Sequence, residues 1–165
     1  MEERIESFEP VAAPDARILI LGTMPSVESL RQSFYYSHPR NAFWPIMARI
    51  LNEPLPENIE DKKNMLIRHG IALWDVCRSC VRPGSLDSDI RDVQPNDFEM
   101  LFRQCGNIER ILFNGAAAEK LYLQKAGIVP QGCDLRRMPS TSPAYTLKFD
   151  SKLAAWREGM EGYYD

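Results

Sequence analysis

An α/β fold, a three-layer sandwich with helices on both faces of a mainly parallel four-stranded sheet, is what the 165-residue sequence predicts. Short apolar runs that stop at a loop recur at residues 16–22 (ARILILG), 70–76 (GIALWDV) and 109–115 (ERILFNG). Runs this apolar are expected of strands buried on both faces. The segments between them carry helical periodicity, and strands alternating with helices build parallel sheets covered on each side. The length suits one compact domain over residues 1–165, large enough to bury a real core.

Each element has its own signal. Residues 16–22 form the first strand, and Pro25 and Ser26 then mark a turn and a helix start. Residues 42–51 (AFWPIMARIL) place apolar side chains at helical spacing, so a helix begins near Asn41 or Pro45 and ends before Pro54. A polar connection over 52–63 leads into a helix through Ile67, and residues 70–76 supply the second strand. Residues 96–105 and 116–126 read as amphipathic helices on either side of the third strand, the latter starting straight after the Asn114-Gly115 turn. A fourth strand fits 134–140 (DLRRMPS), and a last helix fits 151–164. Ligands of open α/β sheets bind beyond the carboxyl ends of the strands. Four loops leave those ends: 23–41, 77–90, 114–116 and 139–145.

Composition removes several functional classes. The charged N-terminal segment lacks the apolar run of a secretory signal, and no stretch approaches the roughly 18 apolar residues of a membrane span. A cytoplasmic protein without membrane contact is expected. Cys77 and Cys80 form a lone C-x-x-C, whereas Cys105 and Cys133 stand far apart, so reduced thiols are expected rather than a metal site or disulfides. The net charge of −3 gives no general attraction to nucleic acid, but Arg40, Arg78, Arg82, Arg136, Arg137 and Lys148 gather near the candidate loops. The glycine-rich phosphate loops of kinases, ATPases and dinucleotide enzymes are absent, as is a G-x-S-x-G nucleophile elbow. Of the two histidines, His69 reads as a capping or surface residue.

The first loop contains the densest signal. Residues 35–45 (YYSHPRNAFWP) combine four aromatic rings, two prolines, an arginine, an asparagine and His38. Aromatic faces stack on bases, amides read hydrogen-bonding edges, and hydroxyls with backbone N–H groups hold phosphates. The set suits a pocket for one base of a nucleic acid. Phe43 and Trp44, the latter above all, read most simply as core residues on the buried face of a helix. That bland account fits Tyr35, Tyr36, His38 and Asn41 less well, because they lie on a proline-broken loop.

Taken in order, GTMPS, YYSHPRNAFWP, GIALWDV, RPGSLDSDI, FNG and MPSTSPAY resemble the motifs of the uracil-DNA glycosylase superfamily. Within it the chain looks most like the hypoxanthine-DNA (deoxyinosine) glycosylases and the related mismatch-specific uracil/thymine glycosylases. The resemblance implies a monofunctional hydrolase that flips a deaminated base from double-stranded DNA, deoxyinosine first and mismatched uracil second. The N-glycosidic bond is expected to be cut without metal or cofactor, and separately from the resemblance a monomer is expected. Flipping costs a few kcal/mol and is cheapest for damaged or mispaired bases.

Residue roles implied by the resemblance follow the motifs. Mismatch-specific relatives place a catalytic asparagine where this chain has Met24, whereas the hypoxanthine-type family carries its important asparagine in H-P-R-N, which matches Asn41. Asn41 is therefore expected to position the water or the sugar. Tyr36 matches the ring that stacks on the flipped base, with a boundary core tyrosine as the alternative. Asn114 is expected to read the base edge, or to serve only the turn before a helix, and His38 to donate to the base or a phosphate, or only to brace its loop. Thr23, Ser26 and Arg40, with Arg137, Pro139, Ser140, Thr141, Ser142 and Pro143 of the last loop, are expected at the DNA. In 82–90, Ser85, Asp87 and Ser88 read first as helix caps, with Asp87 or Asp89 as a less favoured water-activating base, and Asp75 as a hydrogen-bonding tie between loops. Because Met24 vacates the usual catalytic position, a catalytically inactive nucleic-acid or nucleotide-binding module is the competing reading.

Overall fold

The protein is described over residues 3–164 by a computed structural model. Strands β2 (Ile18–Gly22), β3 (Ile71–Asp75), β6 (Arg110–Asn114) and β7 (Asp134–Met138) form a four-stranded parallel sheet in the order β3-β2-β6-β7. Every residue of β2 and β3 is buried, as their continuous apolar runs require. Ile18 pairs with Ile71 on one side and Arg110 on the other, so the three strands finish level and their loops emerge together. The edge strand β7 is charged and half-exposed, which discourages further strand pairing.

Among the described residues six helices cover the sheet: α1 (Val27–Gln32), α2 (Phe43–Leu51), α3 (Ile59–Arg68), α4 (Phe98–Gln104), α5 (Ala116–Lys125) and α6 (Phe149–Gly159). Neighbouring residues on a strand point to opposite faces. Phe113 accordingly meets Tyr122 of α5, ring centroids 5.5 Å apart, whereas Leu112 faces Gly159 of α6. Trp156 of α6 meets Phe43 of α2 edge-on at 6.2 Å, and Phe98 of α4 meets Tyr122 at 5.0 Å. Gly159 lets α6 settle onto the strands, since a Cβ there would lie 2.3 Å from the Met138 sulfur.

Helix starts follow their capping side chains. Ser26 accepts from the Ser29 N–H to open α1, Asn58 from Asp61 to open α3, and Asp97 from Met100 to open α4. Pro45 occupies the first turn of α2, where its missing N–H costs no helical bond. The last helix begins two residues before the expected start and stops at Gly159, short of 164.

One expectation required correction. Residues 77–90 are not all loop: β4 (Cys77–Val81) pairs antiparallel with β1 (Arg4–Glu6) and with β5 (Arg91–Pro95) in a second, three-stranded sheet. Register shifts interrupt the β4–β5 pairing, so no clean two-residue alternation is printed on these polar segments. Cys77 and Cys80 pack with Met24 in a small apolar cluster, and all four cysteines are free. No helix among the described residues is long and apolar enough to cross a membrane.

Candidate active site

A cavity of about 300 Å³ opens beyond the carboxyl ends of β2, β3 and β6. Residues 22–26 form one side, Tyr35, Tyr36 and Asn41 another, and residues 140–142 with Ala144 and Tyr145 a third. Asp75 and Asn114, the terminal residues of β3 and β6, also line it, as do Ser85, Leu86 and Asp87. The loops converge here because the parallel strands end side by side, at the position open α/β sheets offer to ligands.

Tyr36 is held firmly. Its ring stacks on Phe43 at 4.2 Å with an interplanar angle of 24°, and its backbone adopts a left-handed φ of 54°. Phe43 is in turn buried between Trp44 and Trp156. The Tyr36 hydroxyl is buried beside the Asn114 amide without a well-formed hydrogen bond among the described residues, and burial, reinforced by the nearby Asp75 and partly offset by Asn114, drives its acidity down. Tyr35 points the other way, donating its hydroxyl to the Glu9 carbonyl in the core.

Asn41 lies at the cavity edge, where Oδ1 accepts from the Phe43 N–H at 3.0 Å and so supports the start of α2. An amide has two acceptor lone pairs and two donor hydrogens. One lone pair and both Nδ2 hydrogens of Asn41 are uncommitted among the described residues. Asn114 is buried and used twice by Thr141, donating through Nδ2 to the hydroxyl at 3.0 Å and accepting from the backbone N–H at 2.9 Å. This locks the 139–145 loop to the end of β6, yet leaves the amide one donor hydrogen and one lone pair.

Several expected DNA contacts have other work in the fold. Thr23 donates its hydroxyl to Asp87 at 2.6 Å, Ser26 caps α1, and the buried Thr141 hydroxyl serves Asn114. His38 does not line the cavity; its Nδ1 accepts from the Arg40 N–H and braces the turn. Arg137 lies on β7, away from the cavity, with Glu119 at 3.9 Å. Arg40 is exposed, Pro139 and Pro143 are half-buried outside the cavity, and Ser140 and Ser142 line it while accepting from the N–H groups two residues on. Ser85 caps α1 from across the cavity by accepting from Val27, and Asp87 opens a 3₁₀ turn over Asp87–Asp89.

Four residues take on roles in the structure beyond those expected of them. Asp75 was expected to tie loops together by hydrogen bonds; its backbone carbonyl accepts from Asn96, whereas carboxylate Oδ2 is buried with no partner among the described residues. Burial, with Asp87 adding to it and Arg82 opposing it, pushes the Asp75 carboxyl up to about 7. Arg82 is 5% exposed, too buried to form part of a basic DNA face, and its guanidinium donates to the carbonyls of Pro25 (2.6 Å), Met24 (3.5 Å) and Gly84. Lys152 reaches from α6 to the Ser142 carbonyl at 3.0 Å, and Tyr145, 49% exposed, projects at the cavity mouth with that ammonium 5.4 Å from its ring centre. The carboxylate ending the apolar run IALWD was the one available signal among them, because a charged group there faces either a partner or a ligand.

A parallel sheet with an aromatic, amide-lined cavity at its strand ends, bordered by a stiff proline-containing loop, has the chemistry to hold a single flat heterocycle. The chain belongs to the uracil DNA glycosylase superfamily, whose family model matches residues 9–159. It is 31% identical to the hypoxanthine DNA glycosylase of Methanosarcina barkeri over 94% of this chain and 98% of that protein. It is 36% identical to the enzyme of the same name from Methanosarcina acetivorans, over 90% of this chain and 93% of the relative. A solution NMR structure from Methanosarcina acetivorans, described as a candidate uracil DNA glycosylase, superposes with a TM-score of 0.79 at 32% identity, covering 94% of this chain and 98% of that one.

Proposed function

We propose that the protein removes hypoxanthine from deoxyinosine in double-stranded DNA, with mismatched uracil as a second substrate, leaving an abasic site. The observation that carries this reading is the convergence of a Phe43-backed tyrosine ring and two amides with unused capacity, Asn41 and Asn114, on one base-sized cavity. The hypoxanthine DNA glycosylases among its relatives support the choice of base.

The flipped base stacks on Tyr36, and the spare capacity of Asn114 faces one side of it. Asn41 holds a water at the sugar. As the C1′–N bond lengthens, positive charge builds on the sugar and negative charge on the base; the water oxygen then bonds to C1′ while a proton ends on the base. The 139–145 loop, fixed by Asn114, by Lys152 and by the bond from the Trp156 indole to the Pro139 carbonyl, presents Tyr145 to the gap left in the duplex, and Arg40 faces a phosphate.

Single-turnover cleavage of duplexes containing deoxyinosine, uracil or a thymine mispair, read as strand breaks after alkali, tests this directly. Deoxyinosine should be cut fastest. Replacing Asn41 with Ala should slow cleavage by roughly 10²-fold or more, in the range of lost transition-state donors. N41D preserves the Oδ1 acceptor for Phe43 but not the amide hydrogens, and should remain nearly as slow. A wild-type rate in N41A removes Asn41 from the chemistry; no cleavage of any lesion alongside tight DNA binding leaves an inactive binding module.

A further inference from the structure

Two polar groups at the cavity floor lack partners. Tyr36 Oη and Asp75 Oδ2 are each buried without a hydrogen bond among the described residues. The Asp75 carboxyl group and the Tyr36 hydroxyl both approach Gly22: a Cβ built on that residue would lie 2.6 Å from Asp75 Oδ1 and 2.8 Å from Tyr36 Oη. Buried polar atoms without partners are rare, and a cluster of them inside a ligand cavity marks a place where the ligand supplies the missing bonds. Asp75 is 3% exposed and ends β3, so its position is set by the sheet rather than by a loop.

We propose that Asp75 acts in its protonated form as the reader of the lactam edge of the flipped base, from the floor of the cavity beside the Tyr36 ring on which that base stacks. This inference rests on the glycosylase reading above and adds the residue that selects the base. The edge of hypoxanthine presents N1–H next to the C6 carbonyl, and uracil presents N3–H next to C4. A neutral carboxyl sets an O–H donor beside a carbonyl acceptor and pairs with that edge through two hydrogen bonds. An ionised carboxylate offers acceptors only and opposes the base carbonyl. Correctly paired adenine, whose edge also joins a donor to an acceptor, is held back by the cost of leaving the duplex.

The surroundings favour the neutral acid. Asp87 faces Asp75 from the turn after β4 and disfavours its charge, whereas Arg82 of the same segment favours it. Tyr35 and Tyr36 face it from the segment before α2, and Cys77 from β4; none of these offers positive charge. Arg82 spends its donors on the Met24, Pro25 and Gly84 carbonyls rather than on the carboxylate.

The test separates a reader from a water-activating base, because the two require opposite protonation states. The raised folded value leaves Asp75 protonated below about 7 and ionised above it. Affinity of the full-length protein for a duplex containing 2′-fluoro-deoxyinosine, which resists hydrolysis, should be highest below that point and fall toward tenfold per pH unit above it. Single-turnover cleavage of deoxyinosine should follow the same profile. Replacing Asp75 with Asn keeps a donor beside an acceptor at every pH, so D75N should bind and cleave with the slope removed. Cleavage that rises with pH through 7, or D75N that folds but loses lesion affinity, overturns the proposal while leaving the glycosylase reading intact. Wild-type protein that cuts deoxyinosine at no pH sinks that reading instead. The wild-type binding profile decides the matter even if D75N fails to fold.

Discussion

Replacing Gly22 with Ala probes the cavity floor with a single methyl group. The added Cβ would sit 2.6 Å from Asp75 Oδ1 and 2.8 Å from Tyr36 Oη, inside van der Waals contact on both sides. Neither neighbour yields cheaply. Tyr36 is pinned by its stack on Phe43 at 4.2 Å, and the short Asp75 side chain is buried on a backbone held by the sheet and by Asn96 on its carbonyl at 2.7 Å, which leaves its carboxylate little room to move. Overpacking of this kind costs about 1–3 kcal/mol, offset by about 0.5–1 kcal/mol because Ala is less costly than Gly to order in a strand. The expected net loss is therefore roughly 1 kcal/mol in urea unfolding. The expected loss of activity is larger, because a displacement of about 1 Å at a reacting group can cost on the order of 10²-fold. Single-turnover cleavage of a deoxyinosine duplex beside a urea melt measures both. A folded G22A protein cleaving at the wild-type rate would refute the claim that Asp75 and Tyr36 define the reactive geometry.

Other substitutions separate structural from functional duties. Tyr36→Phe removes a buried hydroxyl that has no partner, so it should raise stability by about 1 kcal/mol while slowing lesion cleavage; a destabilised variant would mean that the hydroxyl is bonded in the free protein. Tyr36→Ala should weaken lesion binding by roughly 1–3 kcal/mol in a fluorescence titration, and unchanged affinity would make the ring structural only. Asn114→Ala strands both Thr141 groups in a buried site, and thermal unfolding should report a loss of about 1–3 kcal/mol or more. Lys152→Met leaves the Ser142 carbonyl without its donor; faster hydrogen exchange over 139–145 and weaker duplex binding are expected, and unchanged exchange would deny Lys152 its bracing role.

The expected functional residues divide by how local their causes are. Asn41 and Tyr36 were visible because an amide and a ring crowded into a proline-broken loop have little local structural purpose. Asn114 was ambiguous for a physical reason: the same side chain closes the strand's exit and retains hydrogen-bonding capacity toward the cavity. Thr23, Ser26 and Thr141 suit phosphate contact by residue type, but the partners that occupy their hydroxyls lie 64, 3 and 27 residues away, and only the first and last of these pairings depend on the fold.

Apolar periodicity determined the strands of the parallel sheet and the helices over it, since a strand buried on both faces must be apolar at every position and the chain records that locally. The strand ends so placed are where open α/β sheets bind ligands, and loop composition rather than periodicity singled out Tyr36 and Asn41 as candidates within the first loop. The antiparallel sheet was decided by tertiary structure alone, because β1, β4 and β5 are polar, irregular and joined by pairings as distant as Arg4 with Val81. So was the state of Asp75. A carboxylate at the end of an apolar strand reads the same whether it is solvated or buried. Its lack of a partner, its closeness to Tyr36 over Gly22 and the Asp87 charge beside it exist only once β2, β3 and the 82–90 loop have come together.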